Sequence, residues 1–289
     1  MSTPFPAHVR VYRSRSGEAA VRSWCERELA ACPGMRPLPR IVADGRGTRV
    51  HVLGGGGGVP VLVLPGAGMG AATLTGAARL LARDRTVILA DLPGQPGLSS
   101  PLRPLGGRAA AYGAWLDALL PQVTDRPVVL LGHALGAAAV LSSPPSPLVD
   151  RLLLVNPAGL AAPARDPGRL RATCAWRLRP GEDTSARLIG AWGGPAGPGP
   201  LAEWMTLVGR HCRADTVPGL LRGEEFRDWR GTPVTVATRA RDRVVSPALL
   251  RGAARRLLDT GVHEVADAGH LVLHEAPEQV RELLRRGGG

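Results

Sequence analysis

Four short patterns in this sequence could act together in proton-transfer chemistry. Each falls at the carboxyl end of an apolar stretch, where open α/β sheets place their sites. Gly132-His133-Ala134-Leu135-Gly136 follows Pro127–Leu131, and Leu64-Pro65-Gly66-Ala67-Gly68 closes Val59–Leu64. Asp242 lies in the run from Val234 to Pro247, and Ala268-Gly269-His270 is followed by Glu275-Ala276-Pro277. A histidine oriented by a carboxylate is a general base. A small residue on either side of a turn that opens a helix aims N–H groups at one point. The plain alternative for Asp242 is an ion pair with Arg241 or Arg243. The other histidines, His8, His51, His133, His211, His263 and His274, read as surface or core. The four cysteines, Cys25, Cys32, Cys174 and Cys212, have no CxxC and no metal-ligand spacing. No GK[ST] follows the glycine run Gly54–Gly58, which reads as a flexible connection. Neither a metal nor a cofactor is expected.

The elements that must position these residues alternate. After a loose arm over 1–15, the spacing predicts a helix over Ser16–Cys32, stopped by Pro33-Gly34. A hairpin is expected from Arg40–Asp44 and Thr48–Leu53, turned at Gly45-Arg46-Gly47. Continuous apolar runs at Val59–Leu64, Arg85–Ala90, Pro127–Leu131 and Arg151–Val155 read as strands buried on both faces. Helices are expected between them at Gly70–Arg83, Gly107–Leu120 and Ala134–Leu141. The rhythm breaks over 157–231, where Pro- and Gly-rich patches separate short helical pieces at Arg169–Trp176 and Leu201–His211. It resumes with strand Pro233–Ala237, helix 247–258, strand Gly261–Ala266 and a helix after His270. This order implies a doubly wound, mostly parallel sheet with an inserted helical cap. The expected division is 1–39 for the arm and helix, 40–156 and 232–289 for the core, and 157–231 for the cap.

Taken in order along the chain, the four patterns resemble the α/β-hydrolase superfamily. Gly132 to Gly136 is similar to its G-x-S-x-G nucleophile elbow, with Ala134 standing where the serine is found. The resemblance makes Leu64 to Gly68 the oxyanion loop, with Pro65 where a histidine is common, and implies Ala67 and Leu135 as main-chain oxyanion donors. Asp242 maps onto the family's acid, although Arg239-Ala240 stands where Gly-Glu is usual, and His270 maps onto the base. Ala90 to Ser99 resembles the family's D-x-P-G-x-G-x-S turn with an inserted proline.

Ala134 leaves three readings open. One is a serine hydrolase, an esterase or thioesterase, whose nucleophile has been replaced. The second is an enzyme that never uses a nucleophile, in which His270, oriented by Asp242, acts as base or acid beside the oxyanion hole in elimination, cyclisation or carbon–carbon chemistry. The third is a binding protein, which would have no need of His270 and Asp242. The second is the leading expectation. Its substrate is expected to be a small hydrophobic molecule carrying a carbonyl, such as a specialised metabolite or its carrier-bound thioester. Trp176, Trp192, Trp204 and Trp229 could line its pocket or form the core of the cap.

With 289 residues and 44% hydrophobic content, the chain can bury a large core. Its formal charge of +12 raises the question of nucleic acid. All 36 basic residues are arginine, however, and they are scattered, which reads as a solvated surface. No apolar run reaches bilayer length, and Met1 to Arg15 lacks the apolar region of a secretion signal. A cytoplasmic protein with neither nucleic-acid nor membrane partners is expected.

Overall fold

The computed structural model describes residues 8–194, 197, 199–215, 220–221, 226–227, 229–239, 242, 244–266 and 268–286. Its elements run β1 (His8–Arg10), α1 (Arg15–Ala30), β2 (Met35–Pro37), β3 (Ile41–Ala43), β4 (Arg46–Thr48), β5 (Val50–Leu53) and β6 (Gly58–Leu64). A short 3-10 turn, Ala71–Leu74, leads into α2 (Thr75–Leu81), followed by β7 (Arg85–Ala90), β8 (Leu102–Pro104), α3 (Arg108–Val123), β9 (Val128–His133), α4 (Leu135–Ser142) and β10 (Val149–Val155). Three helices come next: α5 (Pro167–Leu178), α6 (Glu182–Ala191) and α7 (Pro200–His211). The chain finishes with β11 (Val234–Arg239), α8 (Pro247–Leu258), β12 (Val262–Val265), α9 (Val272–Glu275) and α10 (Pro277–Arg286).

Eight strands form the main sheet in the order β12-β11-β10-β9-β6-β7-β5-β2. From β12 to β7 every pairing is parallel, and β5 and β2 extend the sheet antiparallel. Because side chains alternate across a strand, each central strand feeds two cores. Val61, Val63, Leu131 and Val155 pack with α1, α2 and α10 on one face, and Leu62, Leu64, Leu130 and Leu154 pack with α3, α4 and α8 on the other. Both faces are covered, which is why these strands read as unbroken apolar runs. The three helices α5–α7 are inserted between β10 and β11, and no helix of the described residues is long and apolar enough to cross a membrane.

Several expectations need correction. Residues 8–12 are not a loose arm: β1 pairs antiparallel with β8, and Val11 and Tyr12 are buried. The Tyr12 hydroxyl donates to Gly97 O at 2.8 Å and accepts the Gly97 N–H at 3.1 Å. The hairpin is shorter than its sequence suggested. β3 pairs with β4 across Asp44-Gly45, whose φ values of 49° and 70° are those of a tight primed turn. β5 then departs to the main sheet, where it pairs with β2 and β7. Within the Gly54–Gly58 connection, Gly55 and Gly56 lie hard against the α2–β7 turn, since a β-carbon on Gly55 would fall 2.1 Å from Arg85 O, while Gly54 and Gly57 meet nothing within 4 Å.

Candidate active site

The turn from β9 into α4 places Ala134 at φ 46°, ψ −105°, a backbone region that side chains other than glycine occupy at a cost. Its neighbours make the turn possible. A β-carbon on Gly132 would lie 2.5 Å from Ala137 Cα, and one on Gly136 would lie 2.1 Å from Leu64 O. Only glycine lets β9, α4 and the end of β6 approach so closely. The Ala134 N–H donates to Val155 O at 3.0 Å, tying the turn to the next strand.

The loop after β6 lies beside this turn. Met69 N–H donates to Gly66 O at 3.1 Å, closing a turn whose third residue, Gly68, has φ 74°. A β-carbon on Gly66 would sit 3.5 Å from Ala134 Cβ. Leu135 begins α4, where a helix offers its own N–H groups no acceptor. Gly68 is held from both sides: Gln95 Oε1 accepts its N–H at 2.9 Å, and the Trp204 indole donates to its carbonyl at 2.8 Å.

His270 and Asp242 meet. His270 Nδ1 lies 3.1 Å from Asp242 Oδ2, and Asp242 Oδ1 accepts the N–H groups of Val244 and Val245 at 2.5 and 3.1 Å. Burial alone would raise the Asp242 pKa, yet the hydrogen bond from His270 and these two N–H groups hold it below its ordinary value. An ionised Asp242 accepts a hydrogen bond from the Nδ1–H of His270, which leaves Nε2 as the basic nitrogen. Ala134, His270, Ala67 and Gly66 all line one cavity of about 830 Å³. Arg241, Arg243 and Ala240 lie outside the described residues.

Further residues hold His270, and sequence reasoning missed this role for them. The His270 carbonyl accepts from His133 Nε2 at 2.9 Å and from Asn156 Nδ2 at 2.8 Å, and Thr238 Oγ1 donates to Asn156 Oδ1 at 2.8 Å. A carbonyl offers no proton, so His133 must donate from Nε2. Burial, then the neighbouring His270 ring, push the His133 pKa down to about 3, so the ring is neutral. Asn156, at φ 43°, follows β10 directly; an asparagine at a strand end, a residue type that tolerates this conformation, was the available signal. The Glu275 carboxylate accepts the N–H groups on either side of His270, from Gly269 and Leu271.

The inserted helices reach both loops. His270 N–H donates to Trp192 O at 2.8 Å, and a β-carbon on Gly269 would lie 2.4 Å from the Gly193 carbonyl carbon. Arg239, where the family pattern has glycine, sets its guanidinium against Gly193. Trp176 and Trp192 line the cavity. Trp204 packs on Trp24 with ring centroids 4.7 Å apart, and Trp229 is buried in the core on the α4 side of the sheet.

The sequence pattern of the alpha/beta hydrolase family matches residues 61–283. The chain belongs to that family. Solved structures of similar fold include naproxen esterase from Bacillus subtilis, 15% identical, with a TM-score of 0.75 over 96% of this chain and 100% of the other. Carboxylesterase CesB from Bacillus subtilis, also 15% identical, gives 0.69 over 95% and 100%. The N-acyl homoserine lactonase AidH, 17% identical, gives 0.61 over 88% and 95%. None of the curated proteins matches. Within this hydrolase-family chain no group of three or more potential metal ligands occurs among the described residues.

Proposed function

We propose that this hydrolase-family chain acts on the carbonyl of a small apolar molecule, with His270 as general base, Asp242 as its orienting acid, and Ala67 and Leu135 as main-chain oxyanion donors. The observation that carries this reading is the 3.1 Å bond between His270 and Asp242 at the wall of a cavity that also reaches Ala134. Removing the serine from such a triad costs on the order of a million-fold in turnover, so an acyl-enzyme route is closed to a chain with Ala134. Two routes suit the residues present. In one, His270 takes a proton from water as its oxygen attacks an ester or thioester carbonyl; the acyl–heteroatom bond then breaks and the leaving group takes that proton back. In the other, His270 removes a substrate proton next to the carbonyl, opening elimination, cyclisation or lyase chemistry.

The second reading is a serine esterase or thioesterase whose nucleophile has been exchanged for Ala134. Two observations favour it over lyase or cyclase chemistry: an alanine that keeps a strained elbow conformation without the oxygen that elbow exists to present, and esterases and a lactonase among the similar structures.

Ala134→Ser separates the readings. If the chain is an esterase lacking only its oxygen, the variant cleaves activated short-chain esters with a burst and is labelled by an organophosphonate. If the native chemistry needs no nucleophile, the unaltered chain already turns over, His270→Ala abolishes that turnover, and Ala134→Ser leaves it nearly unchanged. A variant that neither cleaves nor labels, together with an inert parent that binds ligands tightly, would make the chain a receptor instead.

A further inference from the structure

The cavity is divided in character. Its buried wall is apolar, built from Met69, Ala134, Leu188, Met205 and Leu271. The part that meets solvent carries exposed Arg13, Arg165, Arg177 and Arg213, with half-buried Arg169 beside them. These arginines come from segments far apart in sequence: the N-terminal stretch, the entry and body of α5, and the turn after α7. The first and last of these are joined by a bridge between Tyr12 and Cys212.

Carboxylates at the cavity are otherwise engaged. Asp166 caps α5 by accepting the Arg169 N–H at 2.9 Å, and Asp215 lies 2.7 Å from Arg108 and 3.6 Å from Arg103. Two of the rim guanidiniums are oriented by neutral carbonyls instead. Arg13 Nε donates to Cys212 O at 3.0 Å, and a terminal nitrogen of Arg169 donates to Ala164 O at 2.5 Å. Each bond fixes one edge of the fork while neutralising none of its charge. Among the described residues, no ion pair reaches Arg13, Arg165, Arg169, Arg177 or Arg213, whereas Arg10, Arg251 and Arg281 pair with Glu18, Glu264 and Asp84 elsewhere on the surface.

We infer that the substrate is an anionic amphiphile, with an apolar body and reacting carbonyl on the buried wall and a carboxylate or phosphate held by the arginine rim. This rests on the reading of the cavity as the substrate site. Guanidinium forks suit both oxyanions, which they grip through paired N–H groups. One exposed arginine contributes little, but several facing one mouth set up a potential that draws anions in and weakens with salt.

Calorimetric titration of the unaltered protein with octyl phosphate, octanoate and octanol tests the inference without requiring turnover. Either anion should bind at least about ten-fold more tightly than octanol at low salt, a preference worth about 1.4 kcal/mol. The stronger of the two identifies the group. The preference should fall towards unity in Arg165→Gln/Arg177→Gln/Arg213→Gln, whose exposed positions leave the melting temperature near that of the parent, and also in concentrated salt. Octanol binding as well as both anions, a preference that survives the triple substitution, or no binding by any probe would each overturn the inference. The base chemistry is read separately, from ester cleavage and phosphonate labelling by Ala134→Ser, so the two can fail independently.

Discussion

Trp204, on the last inserted helix, donates its indole N–H at 2.8 Å to the carbonyl of Gly68, the residue that follows the proposed oxyanion donor Ala67. The other side of Gly68 is held by Gln95, whose amide nitrogen in turn contacts Asp215 at 2.7 Å, beyond the end of that helix. The loop conformation is thereby tied to the seating of α5–α7. Trp204→Phe keeps most of the ring volume and removes one hydrogen bond, with an expected loss of about 1 kcal/mol in stability. In the Ala134→Ser background, Trp204→Phe and Gln95→Leu should slow phosphonate labelling several-fold more than they alter the affinity for octanol. Unchanged labelling would separate the loop from the inserted helices.

Acid should weaken the fold through three buried rings. Burial drives the pKa of His133 down to about 3 and those of His51 and His274 to about 4, below the ordinary histidine value of 6.5. Over the interval between, the unfolded chain binds protons that the folded chain refuses, so stability falls as pH drops. The slope approaches about 1.4 kcal/mol per pH unit for each ring. Asp242 adds to the loss as pH falls through its own depressed pKa. Asp91 and Glu275, whose carboxyl pKa values burial raises, work in the opposite sense. Urea unfolding from pH 7 to pH 4 should still show a net fall in midpoint, and His51→Phe/His274→Phe should flatten that fall if the rings carry it.

Gly136→Ala should be severe. Its β-carbon would meet the Leu64 carbonyl oxygen at 2.1 Å, and both β6 and α4 are buried backbone with little room to retreat. A loss of about 3 kcal/mol or failure to fold is expected. Gly252→Ala on α8, which meets nothing within 4 Å, is the control and should be neutral or slightly stabilising.

Helix α5 should open before the sheet. Of its twelve residues only Trp176 is buried, and Leu170 and Leu178 are 64% and 82% exposed. Amide exchange across Pro167–Leu178 should be at least about ten-fold faster than in β9 and β10, with α7, which buries Trp204 and Met205, between the two. Equal protection of α5 and β9 would contradict this.

The sequence was most legible where local pattern and tertiary role agree. Arg85–Ala90 forms β7 with the bounds its apolar run suggested, and 247–258 forms α8. The three-residue strands β2 and β8 left no trace in the pattern, because each exists only through a distant partner on β5 or β1. Helix α6 was hidden among glycines and prolines. The site divides in the same way. His270 and Asp242 stood out from their own short motifs, whereas the part that His133 and Asn156 play in holding the His270 carbonyl depends on the pairing of β9 with β10, which no local pattern shows. The tryptophans show the limit of residue type as a guide: two line the cavity, and two pack away from it.

The clasp between the N-terminal stretch and the turn after α7 bears on how the chain reaches its native state. Arg13 and the Cys212 carbonyl it bonds are 199 positions apart, and contacts so distant in sequence form late, after the cost of closing the intervening loop has been met. On the ribosome, Val11 and Tyr12 emerge long before α7 exists to receive them. β1 can pair with β8, and Tyr12 can bond Gly97, before then, but the clasp of Arg13 on Cys212 closes only once the inserted helices are in place.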